Sequence, residues 1–145
     1  MRFILSGGGT GGHVNPALAI GAAIEKNFEN AMNNIVDCKK MGFKIALDDI
    51  GCGYTSLINL CDYPIDIVKI DRNILLKTDK KNGKELFNGI IALAHNLNLK
   101  VVSEGVETEE QATLVGNSEC DLIQGFYYST VFSCSEAESF ARKYA

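Results

Sequence analysis

The stretch KIALDDIGCGYTSL, residues Lys44 to Leu57, decides the fold. Its short apolar run, Ile45 to Leu47, has the length and composition of a buried strand. The run stops at two adjacent carboxylates, Asp48 and Asp49, followed by glycines that let the backbone turn sharply. In parallel α/β sheets ligands bind beyond the carboxyl ends of the strands, and there a pair of acids has a use. VKID (68–71), VSEGVE (102–107) and IQG (123–125) follow at intervals suited to a strand and a crossover, each with a polar residue at or near a strand end.

Working outward from that stretch, the pattern predicts strands over Phe43 to Asp48, Ile65 to Ile70, Lys100 to Ser103 and Asp121 to Phe126. Helices are expected over Thr55 to Cys61, Lys84 to Asn98, Glu107 to Val115 with Thr108 as N-cap, and Ser135 to Tyr144 capped by Ser135. The polar run TDKKNG before Lys84 reads as an exposed loop. Upstream, Arg2 to Ser6 reads as a strand and Pro16 to Met41 as helical periodicity that Gly42 ends as a C-cap. The fold class is therefore α/β, about five βα units on a mainly parallel sheet.

The chain has 145 residues, one ordinary domain's worth, and a formal net charge of -4 that disfavours a nucleic acid polymer as partner. Apolar residues make up 46%, yet no run approaches the roughly 20 needed to span a membrane. Gly7 to Gly9 interrupt the apolar start before it can serve as an export signal. The five cysteines form no C-x-x-C pair, and isolated cysteines in apolar runs suit a reduced compartment. A cytoplasmic location follows as the expectation.

Gly8, Gly9, Thr10, Gly11, Gly12 and His13 precede Asn15 and Pro16, a good N-cap and a good first helical residue. Such a loop either cradles a phosphate with backbone N–H groups or simply makes a tight βα turn, and the residues leave both open. GGGTGGHVNPALAI resembles the amino terminus of the MurG family of N-acetylglucosaminyltransferases, over about residues 1–24. That resemblance implies a Rossmann-like βα unit, a diphosphate near the loop and His13 as a base. Phosphate or nucleotide-sugar binding is the corresponding functional expectation.

On DIVKID, alternation places Ile67, Lys69 and Asp71 on one face. A lysine inside an apolar strand must meet an acid, since an unpaired buried charge costs several kcal/mol, and Asp48 or Asp49 is the expected partner. A structural ion pair explains Lys69 with one acid. Adding Glu104 and Gln124 on the following strands makes a set of hard oxygen donors suited to Mg²⁺ or Mn²⁺.

DDIGCGYTSL, DIVKID, SEGVE and IQGFYYS together resemble the second half of an EAL domain, the cyclic di-GMP phosphodiesterase. The resemblance implies half of a (β/α)8 barrel, Asp48, Asp49 and Glu104 as metal ligands, Lys69 and Glu104 in vestigial catalytic roles, and Gln124 beside the metal. The Glu-Ala-Leu signature and the asparagine and glutamate of the family's first half are absent. One domain over residues 1–145 is expected, joining a MurG-like βα segment (1–26) to an EAL-like half-TIM-barrel (27–145). The expectation is a hybrid or truncated protein, catalytically inactive and without a native role, weak in metal binding and associated as a homodimer. Its alternatives are residual metal-dependent binding or hydrolysis of cyclic di-GMP, or phosphate capture at the glycine loop.

Overall fold

The computed structural model describes residues 2–7, 28–51 and 60–144. In chain order these are β1 (Arg2–Gly7), α1 (Phe28–Lys40), β2 (Phe43–Ile50), β3 (Ile67–Ile70), α2 (Arg72–Leu75), α3 (Gly83–Asn96), β4 (Lys100–Ser103), α4 (Glu109–Gly116), β5 (Leu122–Ile123) and α5 (Cys134–Tyr144). The strands form one sheet in the order β1-β2-β3-β4-β5. Strands β2 to β5 run parallel to one another, the succession expected of half a barrel.

β1 departs from a Rossmann-like unit in its direction. It pairs antiparallel with β2, Arg2 opposite Asp48 and Gly7 opposite Phe43. A strand's residues encode its pleat and burial but not its direction, which the path of the connecting chain sets. That path, like the start of the long helix at Pro16, lies outside the described residues.

Alternation along the parallel strands sorts the side chains into two faces. Leu47, Val68 and Val101 stand in register on one face and pack with Ile35 of α1, Phe87, Ile90, Ile91 and Ala94 of α3, and Val115 of α4. This layer is the hydrophobic core. The other face carries Ala46 on β2, and Lys69, Val102 and Leu122 in register across β3 to β5. That face runs to the acids at the strand ends.

Capping follows the sequence in most places and corrects it in one. Thr108 forms a full capping box with Gln111 at the start of α4. Gly42 has φ +91°, the left-handed turn that ends α1. For α5, Ser133 replaces the expected Ser135: its hydroxyl bonds the Glu136 carboxylate at 2.6 Å and its backbone N–H the same oxygen at 2.8 Å. The stretch Thr78 to Gly83 is less exposed than expected, with Thr78 buried and its hydroxyl donating to the Leu75 carbonyl at 2.7 Å. β5 is shorter than Asp121 to Phe126, and the helix expected over Thr55 to Cys61 lies outside the described residues except at its end, where Leu60 is buried.

The opposite rim of the sheet, away from the acids, is fastened twice in the same way. Asp66, just before β3, accepts from the Ile45 N–H of β2 at 2.9 Å and from Lys39 of α1 at 3.1 Å. Asp121, just before β5, accepts from the Val101 N–H of β4 at 2.8 Å and lies 2.9 Å from the His95 Nε2 of α3. Burial alone would raise the Asp66 carboxyl, but the Ile45 N–H, Lys39 and Lys44 outweigh it and hold it below the usual carboxylate range. His95 first, and then the Val101 N–H, do the same for Asp121.

A depressed carboxylate contributes stability that is present above its unfolded value and lost as pH falls through its folded one. Asp66→Ala is therefore expected to cost about 2 kcal/mol at neutral pH, mostly by stranding the Ile45 N–H. Urea unfolding across an acid series should show the gap to wild type closing on acidification. A gap that stays constant would remove the carboxylate's charge from the explanation.

Candidate metal centre

Strict alternation would send Asp48 and Asp49 to opposite faces of β2. Two features bring them to the same place. The pairing with β3 shifts register between Leu47 and Ile50, and Asp49 has φ +57°. Aspartate tolerates that left-handed conformation better than most residues, and the bulge turns its side chain toward the end of the sheet. β4 ends in Ser103 with Glu104 immediately beyond, its N–H bonded to the Ile70 carbonyl of β3 at 3.1 Å. One carboxylate oxygen from each of Asp48, Asp49 and Glu104 then lies within 4.8 Å of the others.

Lys69 sits between two of these acids. Its Nζ is 3.0 Å from Asp48 Oδ1 and also contacts Glu104 Oε1. The side chains of Lys69, Asp48 and Glu104 are 11%, 12% and 16% exposed, so the pairing is largely shielded from water. Asp48, one of the two acids open as partner from sequence, is bonded to Lys69, and Glu104 is a further partner. Burial disfavours charge on Lys69, but Glu104 and Asp48 more than offset it and raise its pKa. Glu104 is also raised, first by burial and further by the charges of Asp48 and Asp49, although Lys69 opposes the shift. Three carboxylates that converge in this way form a set of hard oxygen donors that a divalent cation fits.

Gln124 comes from the neighbouring strand end. Its backbone N–H donates to Ser103 at 2.8 Å and its carbonyl accepts from Val106 at 3.2 Å, which extends the β4–β5 pairing to the level of Glu104. Gly125 follows because Val106 passes so close that a Cβ there would lie 2.0 Å from the Val106 carbonyl oxygen. Gly8, Gly9, Thr10, Gly11, Gly12 and His13 lie outside the described residues. A groove of about 960 Å³ runs along the helical side, lined by Leu75, Lys84, Asn88, Thr108 and Leu114 among others, and Asp48, Asp49 and Glu104 take no part in it.

Sequence reasoning missed the partners around this cluster. Arg72 Nη2 bonds Glu107 Oε2 at 2.6 Å, joining the segment after β3 to the segment after β4. Glu107 ends the SEGVE motif and Arg72 directly follows DIVKID, but linear spacing does not show that they meet.

These features define a class: parallel βα units with an acidic cluster and a lysine at the strand ends. The EAL domain family model matches residues 17–130, and the chain belongs to that family. The match begins at residue 17, inside the stretch that resembles MurG. The chain is 33% identical over 123 residues to the cyclic di-GMP phosphodiesterase NbdA of Pseudomonas aeruginosa, covering 84% of this chain and 16% of that protein. Among solved structures, the EAL enzyme Bd1971 in its cAMP and cyclic-di-GMP bound form aligns with a TM-score of 0.74 at 28% identity, over 81% of this chain and 32% of the other. The manganese/cy-diGMP complex of BlrP1 from Klebsiella pneumoniae aligns with a TM-score of 0.65 at 26% identity, over 72% and 27%. The chain thus spans only a fraction of these relatives' length. No helix among the described residues is long and apolar enough to cross a membrane.

Proposed function

We propose that Asp48, Asp49 and Glu104 hold a divalent cation, Mg²⁺ or Mn²⁺, and that this site binds one phosphodiester of cyclic di-GMP. The observation that carries the reading is the convergence of three carboxylates from two strand ends, made by the bulge at Asp49. The relatives named for cyclic di-GMP, and the neighbour crystallised with manganese, support the choice of ligand and ion. When bound, such an ion activates water and stabilises charge on a phosphate.

The chain's own residues divide the remaining work. Lys69, held between Asp48 and Glu104, keeps its proton and offers a fixed positive charge beside the carboxylates. Gln124, at the level of Glu104, supplies an amide at the rim. Among the described residues the cluster draws its carboxylates from two strand ends, Asp48 and Asp49 at β2 and Glu104 at β4. Phosphodiester cleavage needs attacking and leaving groups held in line, so this chain alone is proposed to bind and not to hydrolyse.

Calorimetric titration of chelator-treated protein with Mn²⁺ tests the reading. Wild type should bind, and Asp48→Asn should weaken binding by at least about tenfold. Cyclic di-GMP should then bind in the presence of Mn²⁺ and not in its absence. Equal Mn²⁺ affinity in wild type and Asp48→Asn would sink the proposal.

A further inference from the structure

α2 is a single turn of helix placed where two acid-bearing segments leave the sheet. Its start is fixed by Asp71, whose carboxylate accepts from the Asn73 N–H at 2.7 Å. On one side Ile74, 5% exposed, lies against Gly51 so closely that a Cβ there would come 2.0 Å from Ile74 Cδ1. Gly51 is two residues beyond Asp49. On the other side the stem of Arg72 lies over Gly105, where a Cβ would come 2.6 Å from Arg72 Cβ and Cγ. Gly105 directly follows Glu104, and both glycines have positive φ, +95° and +68°.

The backbone is tied at the same two places. The Asp71 N–H donates to the Ile50 carbonyl at 3.3 Å, and the Glu104 N–H donates to the Ile70 carbonyl at 3.1 Å. Beyond Gly105 the Arg72 guanidinium holds Glu107, whose own N–H is bonded to Gln111 Oε1 of α4 at 2.8 Å. The stretch from Gly105 to Glu107 therefore runs from a contact with α2 to a contact with α4, and Glu104, directly before it, is tied to β3. The glycines let the α2 side chains reach the backbone itself, so the distance between the two acid-bearing segments is set by what α2 places between them.

We propose that α2 is a spacer for the carboxylate cluster, with Arg72 as a positioning residue that acts through Gly105 and Glu107 to hold Glu104 opposite Asp48, Asp49 and Lys69. Arg72 touches none of the carboxylates of the cluster in any contact described above; its effect is carried by the segment it grips. Residues that orient ligands from behind commonly change metal affinity by about 10–100-fold when lost. The inference rests on the divalent-cation reading for one of its readouts and is independent of it for the other.

Two measurements test it. In Mn²⁺ titrations Arg72→Ala should bind about tenfold more weakly than wild type. The exchanged pair Arg72→Glu with Glu107→Arg should recover most of that loss, which a general loosening of structure would not do. In metal-free protein, a double-mutant cycle with Lys69→Met and Glu104→Gln should show coupling between Lys69 and Glu104 in wild type and its loss in the Arg72→Ala background. Unchanged coupling in that background overturns the spacer role whether or not wild type binds Mn²⁺. Wild-type Mn²⁺ affinity in Arg72→Ala, or failure of the exchanged pair to restore binding, overturns it as well. If wild type binds no Mn²⁺, the metal reading falls and the coupling measurement alone decides this one.

Discussion

Lys69→Met is expected to lower the unfolding free energy by about 3–5 kcal/mol in the presence of a chelator, and to regain much of it when Mn²⁺ is added. Lys69 is the ammonium bonded to Asp48 and Glu104, and all three side chains are largely buried. Removing one partner of a buried ion pair costs about 3–5 kcal/mol because the other charge is left without compensation. Here two are left, with Asp49 alongside. Methionine keeps the length and apolar stem of lysine, so lost packing contributes little. A ligand that binds only the folded state stabilises it by about 2.7 kcal/mol at a hundred times its Kd, enough to recover most of the loss.

The pH dependence has a definite sign. The Glu104 carboxyl is already raised in the folded chain, so the stability tied to its protonated form is lost as pH rises through that folded value. Without Lys69 the charged form becomes still less favourable, and the deficit of the variant should grow with rising pH. Thermal unfolding with chelator and with Mn²⁺, over a pH series, gives both readings. Wild-type stability in Lys69→Met would mean that the acids are solvated and that no site exists there.

Phe87→Ala should cost about 3–5 kcal/mol, the range for removing a fully buried aromatic ring. Among the described residues Phe87 is the largest of the side chains with no more than 2% exposure, and it sits in α3 against the apolar face of the sheet. Because a domain of this kind carries only about 5–15 kcal/mol in total, the substitution takes a large share of it. Urea midpoints should fall at nearly unchanged slope. A loss below about 1 kcal/mol would show that the sheet and α3 do not share the core described above.

Much of the fold was legible because it depends on local pattern. The amphipathic repeat of α3, the cap at Thr108, and the aliphatic runs of β2, β3 and β4 each announce themselves within a few residues. The acids were legible too, since a carboxylate at the end of a buried strand breaks its surroundings' rule. What the pattern does not carry is relation. The direction of β1 depends on a connection, not on its own residues. Ser133 and Ser135 each have a glutamate three positions on, so spacing does not choose between them as the cap of α5. The bulge at Asp49 contradicts the alternation from which strands are read, and it is what allows adjacent aspartates to converge. Arg72 and Glu107 are 35 residues apart, and only the pairing of β3 with β4 makes them neighbours.

The twin fastenings at Asp66 and Asp121 bear on how the chain finds this arrangement. The Lys39 to Asp66 contact spans 27 residues and the His95 to Asp121 contact 26, and the two loops do not overlap. Closing a flexible loop costs an entropy that grows only with the logarithm of its length, so the two closures start at nearly the same disadvantage. Neither half of the sheet has to wait for the other. Each closure can form on its own contour, and the pairing of β3 with β4, which joins the two halves, is what brings Lys69 beside Glu104.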